Sequence, residues 1–147
     1  MEIKIIHENK KQFLDLLLLA DEQESMIDKY LERGEMFALY DDDLKSICVV
    51  TDEGDGVIEI KNIACYEKYQ RRGYGKALIS HISNYYSDRY NKVLVGTGES
   101  QNIISFYESC GFTISHKVPN FFIDNYDHPM FDNGVQLKDM IYLSKEI

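Results

Sequence analysis

The chain has no tryptophan, only two prolines and three cysteines, and no apolar stretch approaching the roughly 18 residues that a membrane span requires. Its longest apolar run, Phe13 to Ala20, is interrupted by Asp15. Scarce proline and the lack of any low-complexity tract argue against a disordered linker or tail. Cys48, Cys65 and Cys110 are widely spaced and form no CxxC pair, which argues against a zinc site or a disulfide framework; each sits in an apolar segment, as a reduced core thiol would. His7, His81, His116 and His128 are scattered, so no metal is expected. The N-terminus, Met1-Glu2-Ile3-Lys4, lacks the plan of a signal peptide, and a cytoplasmic protein is expected. Positive charge is also short: 16 Lys and Arg against 25 Asp and Glu leave a net charge of −9. That balance argues against a nucleic-acid partner, and nothing points to a membrane.

What is present suffices for one domain over residues 1–147, with 44% hydrophobic residues to build its core. Ile3 and Ile5 alternate with polar neighbours as a first strand, and Phe13, Leu16, Leu17 and Ala20 recur at helical spacing. A short helix over Gln23 to Arg33 follows, with Gly34 as its C-cap. Met36 to Tyr40, Ser46 to Thr51 and Val57 to Tyr66 read as strands, separated by turns at Asp41-Asp42-Asp43 and Glu53-Gly54-Asp55-Gly56. Lys76 to Tyr90 reads as an amphipathic helix, Val93 to Val95 as a buried strand, and Ile103 to Gly111 as a helix with its stop. Phe112 to Val118 and Val135 to Leu143 read as strands flanking a long polar and aromatic loop, Pro119 to Gly134.

Within this order one turn stands out, Gln70-Arg71-Arg72-Gly73-Tyr74-Gly75. It joins a strand to a helix N-terminus, where backbone N–H groups lack partners and the macrodipole places about half a positive charge. Such a turn suits a phosphate. Gly73 and Gly75 permit close approach of a ligand, and Arg71 and Arg72 add charge in an otherwise acidic chain. The small basic island from Lys68 to Lys76 fits one local anion better than a long polyanion.

The turn matches the Gln/Arg-x-x-Gly-x-Gly/Ala signature of the GNAT superfamily of acyl-CoA-dependent N-acyltransferases. A second run, Tyr107-Glu108-Ser109-Cys110-Gly111-Phe112, matches that family's Tyr-Glu-x-x-Gly-Phe pattern about 30 residues on. The chain resembles the family over nearly its whole length. The resemblance implies an α/β (α+β) fold: a mixed sheet of about seven strands with four helices, its fourth and fifth strands splayed. It implies acetyl-CoA as co-substrate, with the pantetheine arm bonding along Ile63, Ala64 and Cys65 like an added strand. The pyrophosphate then falls on the amides of Arg71 to Lys76, with Gln70 opening the turn and Arg71 and Arg72 steering the nucleotide phosphates. The family's usual cofactor-binding asparagine is replaced by Ser100; either Ser100 or Asn102 takes its part.

Transfer to an amine needs a neutral nucleophile, a stabilised oxyanion and a protonated leaving thiolate. The resemblance puts the Tyr107 hydroxyl near the CoA sulfur as the acid, the alternative being a core tyrosine closing its helix. Glu59 is the candidate base: with Lys61 it points to one face of its strand, away from Ile58 and Ile60. A solvated Glu59–Lys61 pair is the rival account. The first helices and the Pro119–Gly134 loop, with Phe121, Phe122, Asp124 and Tyr126, would receive a small-molecule or peptide amine; a loop folded on its own aromatics is the alternative. The resemblance also allows a homodimer through the last strands. Two other readings compete. One is a silent acyl-CoA sensor or partner subunit. The other is a nucleotide-binding domain of another kind, disfavoured because neither GxxxxGK[ST] nor GxGxxG occurs.

Overall fold

Alternating apolar residues and glycine-rich or aspartate-rich turns assemble the first half of the sheet. In the computed structural model, which describes residues 1–147, β1 (Glu2–Ile6) leads through a 3-10 turn (Lys10–Phe13) to α1 (Leu14–Ala20) and α2 (Glu24–Ile27). β2 (Glu35–Asp41), β3 (Asp43–Gly54) and β4 (Val57–Cys65) follow as an antiparallel meander. Its tips turn through positive φ at Asp42 (68°) and at Gly54, Asp55 and Gly56. A second 3-10 turn (Glu67–Tyr69) precedes α3 (Tyr74–Tyr86) and β5 (Lys92–Thr97). Then come α4 (Gln101–Ser109), β6 (Thr113–Val118), α5 (Phe121–Asn125), β7 (Met130–Asp132), β8 (Val135–Leu137) and β9 (Met140–Glu146).

Seven strands form one mixed sheet in the order β1-β2-β3-β4-β5-β9-β6, and β7 and β8 pair as a separate hairpin. All neighbours in the sheet are antiparallel except β4 and β5. Each face has its own core. Leu78, Ile79 and Ile82 of α3 and Tyr107 of α4 pack on Ile58, Ile60 and Val95. Leu16 and Leu17 of α1, with Ile27 and Leu31, pack on Ile47, Val49 and Ala64 from the other side. No helix is long and apolar enough to cross a membrane.

The mixed architecture and seven-stranded sheet agree with the expectation; several details do not. There are five α-helices rather than four, because the Pro119–Gly134 stretch holds α5 and β7. Val135 to Leu143 is not one strand. It breaks at Lys138-Asp139, where the Lys138 carbonyl accepts from Phe122 N at 2.9 Å and the Asp139 carboxylate from Asn120 N at 2.8 Å, anchoring the start of α5. The helix expected over Gln23 to Arg33 is a single turn. Gly34 is not its left-handed cap; it is small because a Cβ there would lie 2.7 Å from Val49 Cγ1. The carbonyls of Leu31 and Gly34 are instead met by the Lys10 ammonium, at 3.0 and 2.7 Å. α3 begins two residues earlier than its apolar periodicity suggests, because Gly73 (φ 89°) turns the chain into it.

β4 carries the feature that shapes the site. Ile60 pairs with Val50 and Asn62 with Val49, so Lys61 is an extra residue, a β-bulge. Up to Ile60, β4 also pairs with β5, the last partner being Val95; beyond that the two strands separate. The bulge puts Asn62 on the same face as Glu59 and Lys61, against α1. Ile63 returns to the opposite face.

Candidate functional site

The separation of β4 from β5 opens a cavity of about 670 Å³ between the sheet, α3, α4 and the segments around α1 and α5. Ile63, Ala64 and Cys65 line its β4 edge, beyond the last residue paired with β5. At one end lies the turn into α3. Ala77 N is bonded to the Gly73 carbonyl at 2.9 Å, so the amides of Tyr74, Gly75 and Lys76 precede the first intrahelical bond and are free to donate. Arg71 is held at φ 65° and the Gln70 side chain donates to the Cys65 carbonyl at 3.3 Å, tying the turn to β4. Gly75 is small because a Cβ would meet the Phe106 ring at 3.3 Å. Gln70, Arg71, Gly73, Tyr74, Gly75 and Lys76 all line the cavity; Arg72 does not, and its guanidinium lies 5.7 Å from the Tyr69 ring.

α4 supplies the opposite wall. Ser100 precedes its first turn, makes no side-chain cap, and lines the cavity with Asn102, so both candidates for the missing asparagine are present. Tyr107 also lines it, wedged edge-on between Phe106 and Phe112 at 5.3 and 5.7 Å. Its hydroxyl makes no hydrogen bond within the protein, and burial drives its pKa up, so it is held neutral. A neutral phenol facing a cavity can donate a proton but is a poor base. Glu59 stands apart. It is paired with Lys61 Nζ at 3.1 Å and only Lys61 reaches the cavity. Burial raises the Glu59 pKa while Lys61 opposes the shift.

At the far end, Asp21 follows α1 and is almost fully buried. Its carboxylate accepts the Tyr126 hydroxyl at 2.8 Å on Oδ1 and the Tyr30 hydroxyl at 3.2 Å on Oδ2. Burial pushes the Asp21 pKa up, and the two tyrosine hydroxyls counter it. Asn62 Nδ2 donates to the Tyr30 oxygen and to the Leu17 carbonyl, both at 3.0 Å. A carbonyl can only accept, so the nitrogen must face Leu17. That leaves Asn62 Oδ1 buried without a partner. The next two residues of the late segment follow Tyr126 onto the early one. Asp127 N donates to Gln23 Oε1 at 3.1 Å, and His128 bridges Glu22 (3.1 Å) and Asp127 (2.5 Å).

Of the residues expected to meet the acceptor, Phe122 and Tyr126 line this end; Phe121 and Asp124 do not. Phe121 packs edge-on against Phe122 at 5.5 Å, and Asp124 is exposed on α5. Asp21 and Asn62 escaped sequence reasoning. Asp21 looks like a polar residue ending a helix, and Asn62 sits in an apolar strand, where a lone buried amide was the one available signal. No three His, Cys, Asp or Glu side chains gather to hold a metal ion.

Residues 32–114 match the family model of the acetyltransferase (GNAT) domain. The chain is 36% identical to the uncharacterised N-acetyltransferase YvbK of Bacillus subtilis strain 168, over 97% of this chain and 94% of that one. A GNAT family acetyltransferase from Elizabethkingia anophelis, solved with acetyl-CoA bound, superposes with a TM-score of 0.93 at 35% identity, covering 99% of this chain and 97% of that one. A Bacillus subtilis acetyltransferase in complex with CoA superposes with a TM-score of 0.90 at 34% identity, over 99% and 98% of the two chains. With the strand splay, the glycine turn and these likenesses together, the chain belongs to the GNAT family of acetyltransferases.

Proposed function

We propose that the protein transfers an acetyl group from acetyl-CoA to a primary amine, of a small molecule or a peptide, by direct attack in a ternary complex. The observation that carries this is one cavity bounded by an unpaired strand edge, free helix-terminal amides and an unbonded phenol. The edge from Ile63 to Cys65 bonds the pantetheine arm as an added strand would. The amides of Gly73 to Lys76, aided by Arg71, hold the pyrophosphate. The amine lone pair forms the C–N bond as the C–S bond breaks. The nitrogen's surplus proton passes through water to Glu59, and the departing thiolate takes the Tyr107 proton. The net products are the N-acetylamine and CoA thiol. Holding both reactants in line supplies much of the acceleration.

The reducing cytoplasm suits three free cysteines. A homodimer along β6, whose residues from Thr113 to Lys117 are all exposed, fits the same reading and is checked by sedimentation. The central test is calorimetric titration with acetyl-CoA, followed by thiol release over a panel of amines and peptides. Binding with release on an amine supports transfer. Failure to bind acetyl-CoA overturns it.

A further inference from the structure

We propose that Asp21 and Asn62 form a docking site that first captures, as its ammonium, a primary amine with an apolar body and no carboxylate beside its amino group, the neutral form released from it being the one that attacks. This rests on the transfer reading above and names the acceptor class for the same cavity.

Both side chains are more than nine-tenths buried, Asp21 8% and Asn62 3% exposed, and both line the cavity. One tyrosine hydroxyl, that of Tyr30, bonds to each of them, so they are fixed relative to one another. Asp21 keeps acceptor capacity beyond its two tyrosine bonds, since a carboxylate offers about four lone-pair sites. Asn62 Oδ1 is a buried acceptor with no partner. Leaving such a group unmet is unfavourable, and a ligand N–H relieves it. An ammonium group has three donors, enough for both acceptors at once.

The charges around the cavity are sorted by end. Arg71 and Lys76 stand at the phosphate-binding end. Asp21 and Glu22 stand at the other, Glu22 meeting His128 at 3.1 Å; Asp132 also lines the cavity, and Lys61 is already paired with Glu59 at 3.1 Å. A free amino acid would bring its own carboxylate against Asp21, and like charges at close range in a partly buried site repel strongly. Phe122, Met130, Phe131 and Leu137 also line the cavity and offer an apolar bed for the rest of the amine. The upward pull of burial on the Asp21 carboxyl agrees with this, because a cation seated there reverses it.

The test uses the whole wild-type chain and two probes that differ by one carboxylate, 2-phenylethylamine and phenylalanine. Acetyl-CoA binding is read first by calorimetry; its absence overturns the transfer reading and this one with it. Each probe is then titrated into the CoA-loaded protein. The expected result is binding of 2-phenylethylamine and affinity for phenylalanine weaker by about tenfold or more. Equal affinities, or no amine binding to a chain that does hold acetyl-CoA, overturn the site alone. Asp21→Asn keeps the shape and one tyrosine contact; the amide NH2 cannot accept, so the other hydroxyl must turn to accept from it. The variant is expected to weaken 2-phenylethylamine about tenfold or more while acetyl-CoA affinity is retained. An Asp21→Asn chain that folds and binds the amine as tightly as wild type also overturns it. The two-probe comparison stands even if that variant fails to fold.

Discussion

The Tyr126 hydroxyl donates to Asp21 Oδ1 at 2.8 Å across 105 residues of chain, and it is the innermost of three successive contacts joining residues 126–128 to residues 21–23. This seam closes the Asp21 end of the cavity, so its strength bears on both stability and access.

Tyr126→Phe removes one hydroxyl bonded to a carboxylate and preserves the ring. The expected loss is about 1.5–3 kcal/mol, typical of a hydrogen bond to a charged group. Urea unfolding monitored by circular dichroism checks this. A midpoint equal to that of the wild type would show that the seam adds nothing to stability.

His128 is held above its ordinary value of about 6.5 by the hydrogen bonds its ring donates, first to Asp127 and then to Glu22. A raised folded-state value means the protonated imidazolium is favoured in the closed seam. Its contribution is therefore fully present below about pH 6.5 and is lost as pH rises through the higher, folded value. An NMR titration is expected to place the His128 midpoint above 6.5, and Asp127→Asn is expected to bring it down.

Tyr107→Phe is expected to lower turnover with little change in acetyl-CoA affinity. Because the hydroxyl has no partner within the protein, its removal should also leave stability within about 0.5 kcal/mol of wild type. Undiminished turnover would remove Tyr107 as the acid. With the phenol kept neutral by burial, no loss of activity from its ionisation should occur below about pH 10.

Glu59 must be ionised to accept a proton, and burial raises its pKa against the pull of Lys61. The acid limb of kcat/KM is expected above the ordinary glutamate value of about 4.3. That limb should vanish, with a lower plateau, in Glu59→Gln. A variant with the wild-type profile would leave Glu59 and Lys61 as a structural pair.

Gly73→Ala places a Cβ at φ 89° in the turn into α3. The left-handed conformation costs a non-glycine residue about 1–2 kcal/mol, so both the melting temperature and acetyl-CoA affinity are expected to fall. Calorimetry of both quantities on one sample checks this.

How much of this was readable beforehand varies with the range of the interaction. The Gln70-to-Gly75 turn was legible because its glycines, the preceding strand and the following helix are all local. The shared face of Glu59 and Lys61 was legible from alternation, and their 3.1 Å pair agrees. Asp21 was not, because its significance comes from Tyr30 and Tyr126, which only the folded chain brings to it. α5 was missed because a five-residue helix has too few turns to show a period. The Lys10 ammonium took the role assigned to Gly34, a substitution of a distant donor for a local cap that no spacing rule signals.

The bulge at Lys61 divides β4 into two pieces in series, one facing its neighbours in the sheet and the other facing the cavity. A chain one residue shorter at this point would keep every other residue type. It would remove the ammonium paired with Glu59 yet leave Asn62 opposite Val49, on the face where Leu17 and Tyr30 reach it. Drawing Lys61 into the ladder would instead turn Asn62 to the other face, so the extra residue serves the site by staying out of register.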